Sequence, residues 1–372
     1  MSTPTVPTRL DTHEILADRN AHRLTLHATL VPVAGSRFQP AGFPEVGHVI
    51  YPSPQPDGSV EQICIVDSAA SMANHLESVC MSAPKFSTAL HEDLAGLPHI
   101  QLKTGQDRVP ATLLATSLTE AHRSASKAFL NQHTFLCEQS RPGTETFERV
   151  LLREFGMENN RGKSPSPNPE DYAKIFVALF RRDPNSLVHG VLFPNWSIKI
   201  PRLLTATHEA IGARRVASSG VSFNRFKDEF GVQPIFAVDE ETAAAIRARF
   251  VIDLALLRSF GASGAALDRQ QQELILELAL WKIGRLLDQP FRYRSNCDLQ
   301  TTDLRRGPAD GPSVDAALLG TEIPAKIQAA YSDRQRITEL FRAAETIETE
   351  PPQERNPGGS GNADDDEADD QE

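Results

Sequence analysis

LTLHATLVPV, residues 24–33, alternates apolar with small or polar side chains and is rich in β-branched residues, the period-2 pattern of a half-buried β-strand. It runs directly into AGSRFQPAGFP, residues 34–44, a Gly- and Pro-rich loop. Working outward, QICIV at 62–66 predicts a second, short buried strand, and the stretch 71–80 a helix behind it. Further strands are expected at 187–193 (LVHGVLF), 250–257 (FVIDLALL) and 291–296. Residues 270–287 form a helical pattern that is apolar on nearly every side, which marks a buried helix. Amphipathic helices are predicted at 144–155, 171–181 and 324–347, and 161–170 (RGKSPSPNPE) is a breaker stretch. Interleaved strands and helices without an internal repeat give an α+β or α/β class with long insertions.

Ser117-Leu118-Thr119-Glu120 has capping-box form, a Ser N-cap with Glu three residues on. The helix it would open places Leu118, Ala121, Ala125 and Phe129 on one face, and His122, Arg123, Ser126 and Lys127 on the other.

The chain has 372 residues, 40% of them apolar, enough for a sizeable core in two or three domains or in one with large insertions. Its net charge of −11 is uneven: residues 362–372 (NADDDEADDQE) hold seven acidic side chains and no basic one, so the other 361 residues carry −4. Such a body is not the uniformly basic chain of a simple nucleic-acid binder, and any basic face must be local. Residues 1–22 are expected to be flexible, 23–350 to form the folded body, and the Pro-, Gly- and acid-rich stretch 351–372 to be disordered. No cysteine pair has CxxC spacing, and no apolar run reaches the ~18 residues of a membrane span. With a polar start and no signal-like segment, the chain reads as soluble and cytoplasmic, with no membrane partner.

Motifs of catalysis fail on inspection. Residues 156–164 nearly spell a phosphate-binding loop, but five residues separate its glycines and prolines follow where a helix is needed. Ser124 and Lys127 match an SxxK pattern whose companion elements are missing. The histidines form no closely spaced metal pair. No cofactor, metal or catalytic residue is expected.

Residues 199–227 (KIPRLLTATHEAIGARRVASSGVSFNRFK) set Lys199, Arg202, Arg214, Arg215, Arg225 and Lys227 against Glu209 alone. This is a local attraction for phosphate, with Ser218, Ser219 and Gly220 allowing close backbone approach and Phe223 and Phe226 available for stacking. Short basic runs are also common as solvated edge strands with a Gly turn. The loop holding Arg37, Phe38 and Gln39 has the same double reading: a cation, a ring and an amide for RNA, or a structural turn with Phe38 packed beneath it.

Six stretches, taken in order, carry a resemblance. They are 35–44 (GSRFQPAGFP), 67–80 (DSAASMANHLESVC), 117–126 (SLTEAHRSAS), 188–191 (VHGV), 214–221 (RRVASSGV) and 278–288 (LALWKIGRLLD). The chain resembles the RAMP-type backbone subunit of type I-G (formerly I-U) CRISPR effectors, the GSU-type Cas-seven family, over about residues 23–300. The resemblance implies an RRM-like ferredoxin palm elaborated by finger and thumb insertions, several copies stacking along one CRISPR guide RNA in a helical filament. Partners so implied are the guide RNA, target DNA, further copies of the chain and other Cascade subunits. Base pairing would read sequence while protein reads backbone and shape. The RNA-binding residues it implies here are Arg37, Phe38 and Gln39; Ser71, Met72, Asn74 and His75 at the start of the next helix; His122, Arg123 and Ser126; and Arg214, Arg215, Ser218 and Ser219. The alternative is an RNA-cleaving RAMP-type endoribonuclease using an aspartate in the thumb, for which Asp107 or Asp183 would be proposed.

Overall fold

The alternation at residues 24–33 builds the central strand of the molecule. In the computed structural model, which describes residues 9–43, 47–55, 57–82, 89–103, 113–132, 145–157, 166–216, 227–228, 231–232, 240–262, 266–331 and 339–342, β1 is Arg23–Pro32. Its Leu24, Leu26, Ala28 and Leu30 are buried, while Thr25, His27 and Thr29 face the other way and stay partly exposed. The remaining strands of its sheet are β2 (Ile50–Pro54), β3 (Val60–Asp67), β4 (Leu204–Ile211), β5 (Ala245–Asp253), β6 (Phe291–Arg294) and β7 (Cys297–Arg306). The spatial order is β6-β7-β1-β5-β4-β3-β2, with each neighbouring pair antiparallel. On β5 the same alternation buries Ile246, Ala248, Phe250 and Ile252 beside the β1 leucines, in the register Leu26↔Phe250 and Leu30↔Ile246.

Five helices matter for the site: α1 (Ala69–Ser78), α2 (Asp171–Arg182), α3 (Asn185–His189), α4 (Arg269–Leu287) and α5 (Ile323–Ala330). Helix α4 starts at a complete capping box: the Asp268 carboxylate accepts from the Gln271 amide N–H, while the Gln271 side-chain oxygen takes the Asp268 N–H. It is buried almost all round, as its composition requires, and packs against α1, α3 and α5. Gly320 (φ +68°) lets the chain cross α4 so closely that a Cβ there would fall on the Trp281 backbone.

The sheet is curled. Although β6 and β3 lie on opposite sides of β1 in strand order, Arg294 of β6 donates from Nη1 to the Val66 carbonyl at 2.6 Å, and the Tyr293 ring lies 4.6 Å from that of His208 on β4. This closure folds the loop after β1 and the start of α1 into one neighbourhood.

Several sequence expectations give way. No helix opens at Ser117: its hydroxyl instead accepts the Ile100 amide, residues 123–125 make a single 3₁₀ turn, and only Lys127–Leu130 is helical. Tertiary packing against Ile100–Lys103 has outcompeted the cap. Residues 187–193 divide into α3 and a three-residue strand, Val191–Phe193, because Gly190 (φ +77°) turns the chain. The run 250–257 is strand only to Asp253, which then caps a helix at Leu254–Ser259. The last helix ends at Ala330, and Glu339–Arg342 is a strand parallel to Ile100–Lys103. The lead segment carries a helix, Thr12–Ala17, with Ile15 and Leu16 buried; residues 1–8 lie outside the described residues. Residues 351–372 lie outside the described residues. Among the described residues no helix is long and apolar enough to cross a membrane.

Candidate nucleic-acid interface

The loop leaving β1 turns at Gly35 (φ +71°) and is then fixed from both sides. Phe38 exchanges two backbone hydrogen bonds with Glu241 (3.0 and 2.8 Å) and its ring is completely buried. Its stacking role is therefore excluded: the ring packs beneath the loop. Arg37, next to it, stays exposed and pairs with Glu240 at 2.9 Å. The half-buried Gln39 donates its backbone N–H to the Asn296 carbonyl at 2.8 Å.

Glu241 is the hub of this edge. Its carboxylate is fully buried and receives His48 Nδ1 at 3.0 Å and Arg215 Nε at 3.4 Å. The backbone of Glu241–Thr242 pairs antiparallel with Arg214–Arg215, in the register Arg215↔Glu241 and Arg214↔Thr242. Three arginines far apart in sequence, Arg37, Arg214 and Arg215, thus meet around residues 240–242, all of them exposed. Ser218 and Ser219 lie outside the described residues, as do Phe223, Arg225, Phe226 and the side chain of Lys227.

The start of α1 adjoins this edge through β6. Arg294 reaches Asp67 at 2.9 Å, and Asp67 accepts from His75 Nε2 at 2.8 Å. Burial would raise the Asp67 carboxyl, but the His75 hydrogen bond and the Arg294 charge outweigh it and hold it below its ordinary value. The His75 ring stands edge-on to Phe291 (5.4 Å) and Tyr293 (5.3 Å). Asn74 is exposed, and Ser71 lies beside His75 with its own N–H already taken by the Ser68 cap. Met72 is a core residue with no exposed surface, which removes it from any RNA contact.

The residues at 122–126 do not join the group. Arg123 is 7% exposed, sits at φ +51°, and donates from Nε to Glu77 at 2.7 Å on the inward side of α1. Ser126 is buried as the cap of Lys127–Leu130; His122 alone is exposed. The amphipathic assignment failed because the helix it presupposed does not form.

Arg123 belongs to a buried polar network instead. Glu77 also receives Asn185, whose Oδ1 accepts Lys282 Nζ at 2.6 Å; Lys282 lies 3.2 Å from His189, and Asp183 accepts from Ser186 at 2.6 Å. Burial raises the Glu77 carboxyl despite Arg123 and Lys282, pushes Asp183 up to about 6, and drives His189 well below its ordinary value. Asp183 is entirely buried, so it cannot reach a bound RNA; Asp107 lies outside the described residues.

The segment Phe291–Asn296, expected from the sequence only as a strand, also contributes to this site. Arg292 pairs bidentately with Asp298 (2.7 and 3.1 Å), and with Asn296, Arg37, Glu240 and residues 32–36 it lines a cleft of about 500 Å³. The arginines spaced by two in FRYRSN were the available signal.

A family model described as CRISPR-associated protein GSU0053 matches residues 24–215, more than half of the chain and including the loop after β1, α1 and the Arg214–Arg215 pair. The chain belongs to this family. Two solved structures similar to this GSU0053-family chain are Csc2 of Thermofilum pendens and a chain of a CRISPR RNA-guided surveillance complex in a pre-nicking state. The first is 11% identical, covering 88% of this chain and 86% of that one with a TM-score of 0.29. The second is 13% identical, covering 78% and 77% with a TM-score of 0.33. No curated protein matches this family member.

Proposed function

We propose that this chain is the guide-RNA-binding backbone subunit of a Cascade-type surveillance complex of type I-G, a binder and not an enzyme. Copies of it line up along CRISPR RNA beside other Cascade subunits in the cytoplasm and leave the spacer bases free to pair with target DNA. Membership of a CRISPR-associated family supports the setting. The strand order β7-β1-β5-β4, with α1 ahead of β4 and α4 between β5 and β7, supports reading the palm as RRM-like: it is the 4-1-3-2 antiparallel arrangement of a βαββαβ unit, widened by β2, β3 and β6.

The observation that carries the reading is the convergence of exposed Arg37, Arg214 and Arg215 on the short segment 240–242, which leads into the central strand β5. Cations on a rigid edge hold phosphates without selecting sequence, which is what a subunit repeated along a guide needs. The test is to purify the chain and sequence the nucleic acid that accompanies it. A discrete repeat-derived RNA of fixed length is expected; protein free of nucleic acid that also ignores added guide RNA would refute the proposal.

A further inference from the structure

With Phe38 buried in the core, the exposed edge needs another way to hold a base, and the cleft beside Arg37 has the groups for it. We propose that this cleft seats one unpaired nucleobase of the bound strand between the guanidinium planes of Arg37 and Arg292, with the Asn296 amide at its polar edge. This rests on the RNA-binding reading above and adds base contacts to a site otherwise made of phosphate contacts.

Both arginines are more than half exposed, yet each is held by a carboxylate: Arg37 by Glu240 at 2.9 Å, and Arg292 by both oxygens of Asp298. The two-point contact orients the Arg292 plane, the single pair holds Arg37 at the cleft, and planar cations stack on the faces of bases. Pro32, Val33 and Pro290 add apolar surface to the same lining. Asn296 occupies the left-handed region (φ +58°) in the turn between β6 and β7. Its backbone carbonyl takes the Gln39 N–H, and the residue, whose side-chain amide makes no hydrogen bond to the described residues, lines the cleft. An amide offers a donor and an acceptor together, the pattern that meets an exposed base edge. At about 500 Å³ the space lies within the range of small-molecule sites and admits a base with its sugar.

The carboxylates also argue against the simplest competitor. Glu240 and Asp298 border the same space, so a bare phosphate entering it would meet two negative charges as well as two positive ones. A neutral ring would not.

The experiment compares binding of a short single-stranded RNA with that of the same ribose-phosphate chain carrying abasic positions. Wild-type protein is expected to bind the intact strand on the order of tenfold more tightly. The double variant Arg292→Ala/Asn296→Gly, whose glycine accepts the left-handed backbone at 296, should lose that preference while binding abasic RNA as wild type does. Arg214→Ala should weaken both ligands alike. Because Arg292 and Asn296 are exposed, unchanged thermal unfolding of the variant establishes that it folds, and Arg292→Lys, which keeps charge but not the plane, should behave like the double variant. Equal wild-type affinity for intact and abasic RNA, or a variant that loses both equally, would overturn the base-seating proposal while leaving the RNA-binding reading in place. No binding of either RNA by the wild type would overturn the RNA-binding reading itself.

Discussion

Two clusters of charge in this molecule use the same residue types for opposite ends. Around Glu241, one buried carboxylate anchors His48 and Arg215 while three arginines remain open to solvent. Around Glu77, every charge is turned inward: Arg123, Lys282, Asp183 and His189 are all buried, with Glu77 and Asn185 among their partners. The first arrangement leaves its arginines, two of them paired with Glu240 and Glu241, within reach of an outside anion; the second buries its cations and so can only define packing. Chemical type and local motif do not separate the two. Burial does.

The largest stability effect is expected at Glu77. Glu77→Ala would leave Arg123 buried without its carboxylate and is expected to cost about 3–5 kcal/mol, measured by denaturant unfolding. A loss below ~1 kcal/mol would mean that the network is wet or rearranges readily.

Next come two pH effects of opposite sign. Burial drops the His208 imidazole to about 3, with neither ring nitrogen hydrogen-bonded among the described residues. A base with a depressed native pKa contributes stability above its unfolded value of about 6.5, and that contribution falls away as pH drops below it. From pH 6.5 to 5 the loss is about 2 kcal/mol, and His208→Leu should abolish this part of the acid destabilisation. Asp183, raised to about 6, acts the other way: its native form binds a proton that the unfolded chain releases between about pH 4 and 6. Stability from this group therefore declines as pH rises through that window, and Asp183→Asn should remove the decline. Urea midpoints of the three proteins from pH 4.5 to 7.5 would show both effects; parallel curves would contradict both.

The smallest stability effects belong to the exposed edge. Arg214→Ala should change stability by less than about 0.5 kcal/mol, because no buried group among the described residues depends on its side chain. Arg215→Ala should cost more, on the order of 1–3 kcal/mol, since it removes a partner of the fully buried Glu241. Both should weaken RNA binding, so melting curves separate the two arginines where affinity does not.

Parts of the central sheet and the helix packed on it were readable from the chain, since the alternation at 24–33, the short strand at 62–66 and the all-round apolar helix at 270–287 are patterns that burial itself imposes. The start of α1 could be read for the same reason. At 117–126 a local cap signal competed with the Ile100 amide for the Ser117 hydroxyl and lost, and Arg123 and Ser126 went into the core with it. Met72 and Phe38 were misassigned because an apolar side chain beside polar ones looks alike whether it faces a base or the core. Glu240 and Glu241, which gather the arginines, could not be read at all: their role depends on a strand pairing that joins residues about 200 positions apart in the chain, Phe38 to Glu241.

The salt dependence of single-stranded RNA binding, compared between the wild type and Arg37→Ala/Arg214→Ala/Arg215→Ala, decides whether these cations hold the strand. Three lost phosphate contacts should flatten the slope of log affinity against log salt by about two units, equally for RNAs of unrelated sequence. A slope that stays at the wild-type value would show that the cations around Glu241 do not hold the guide.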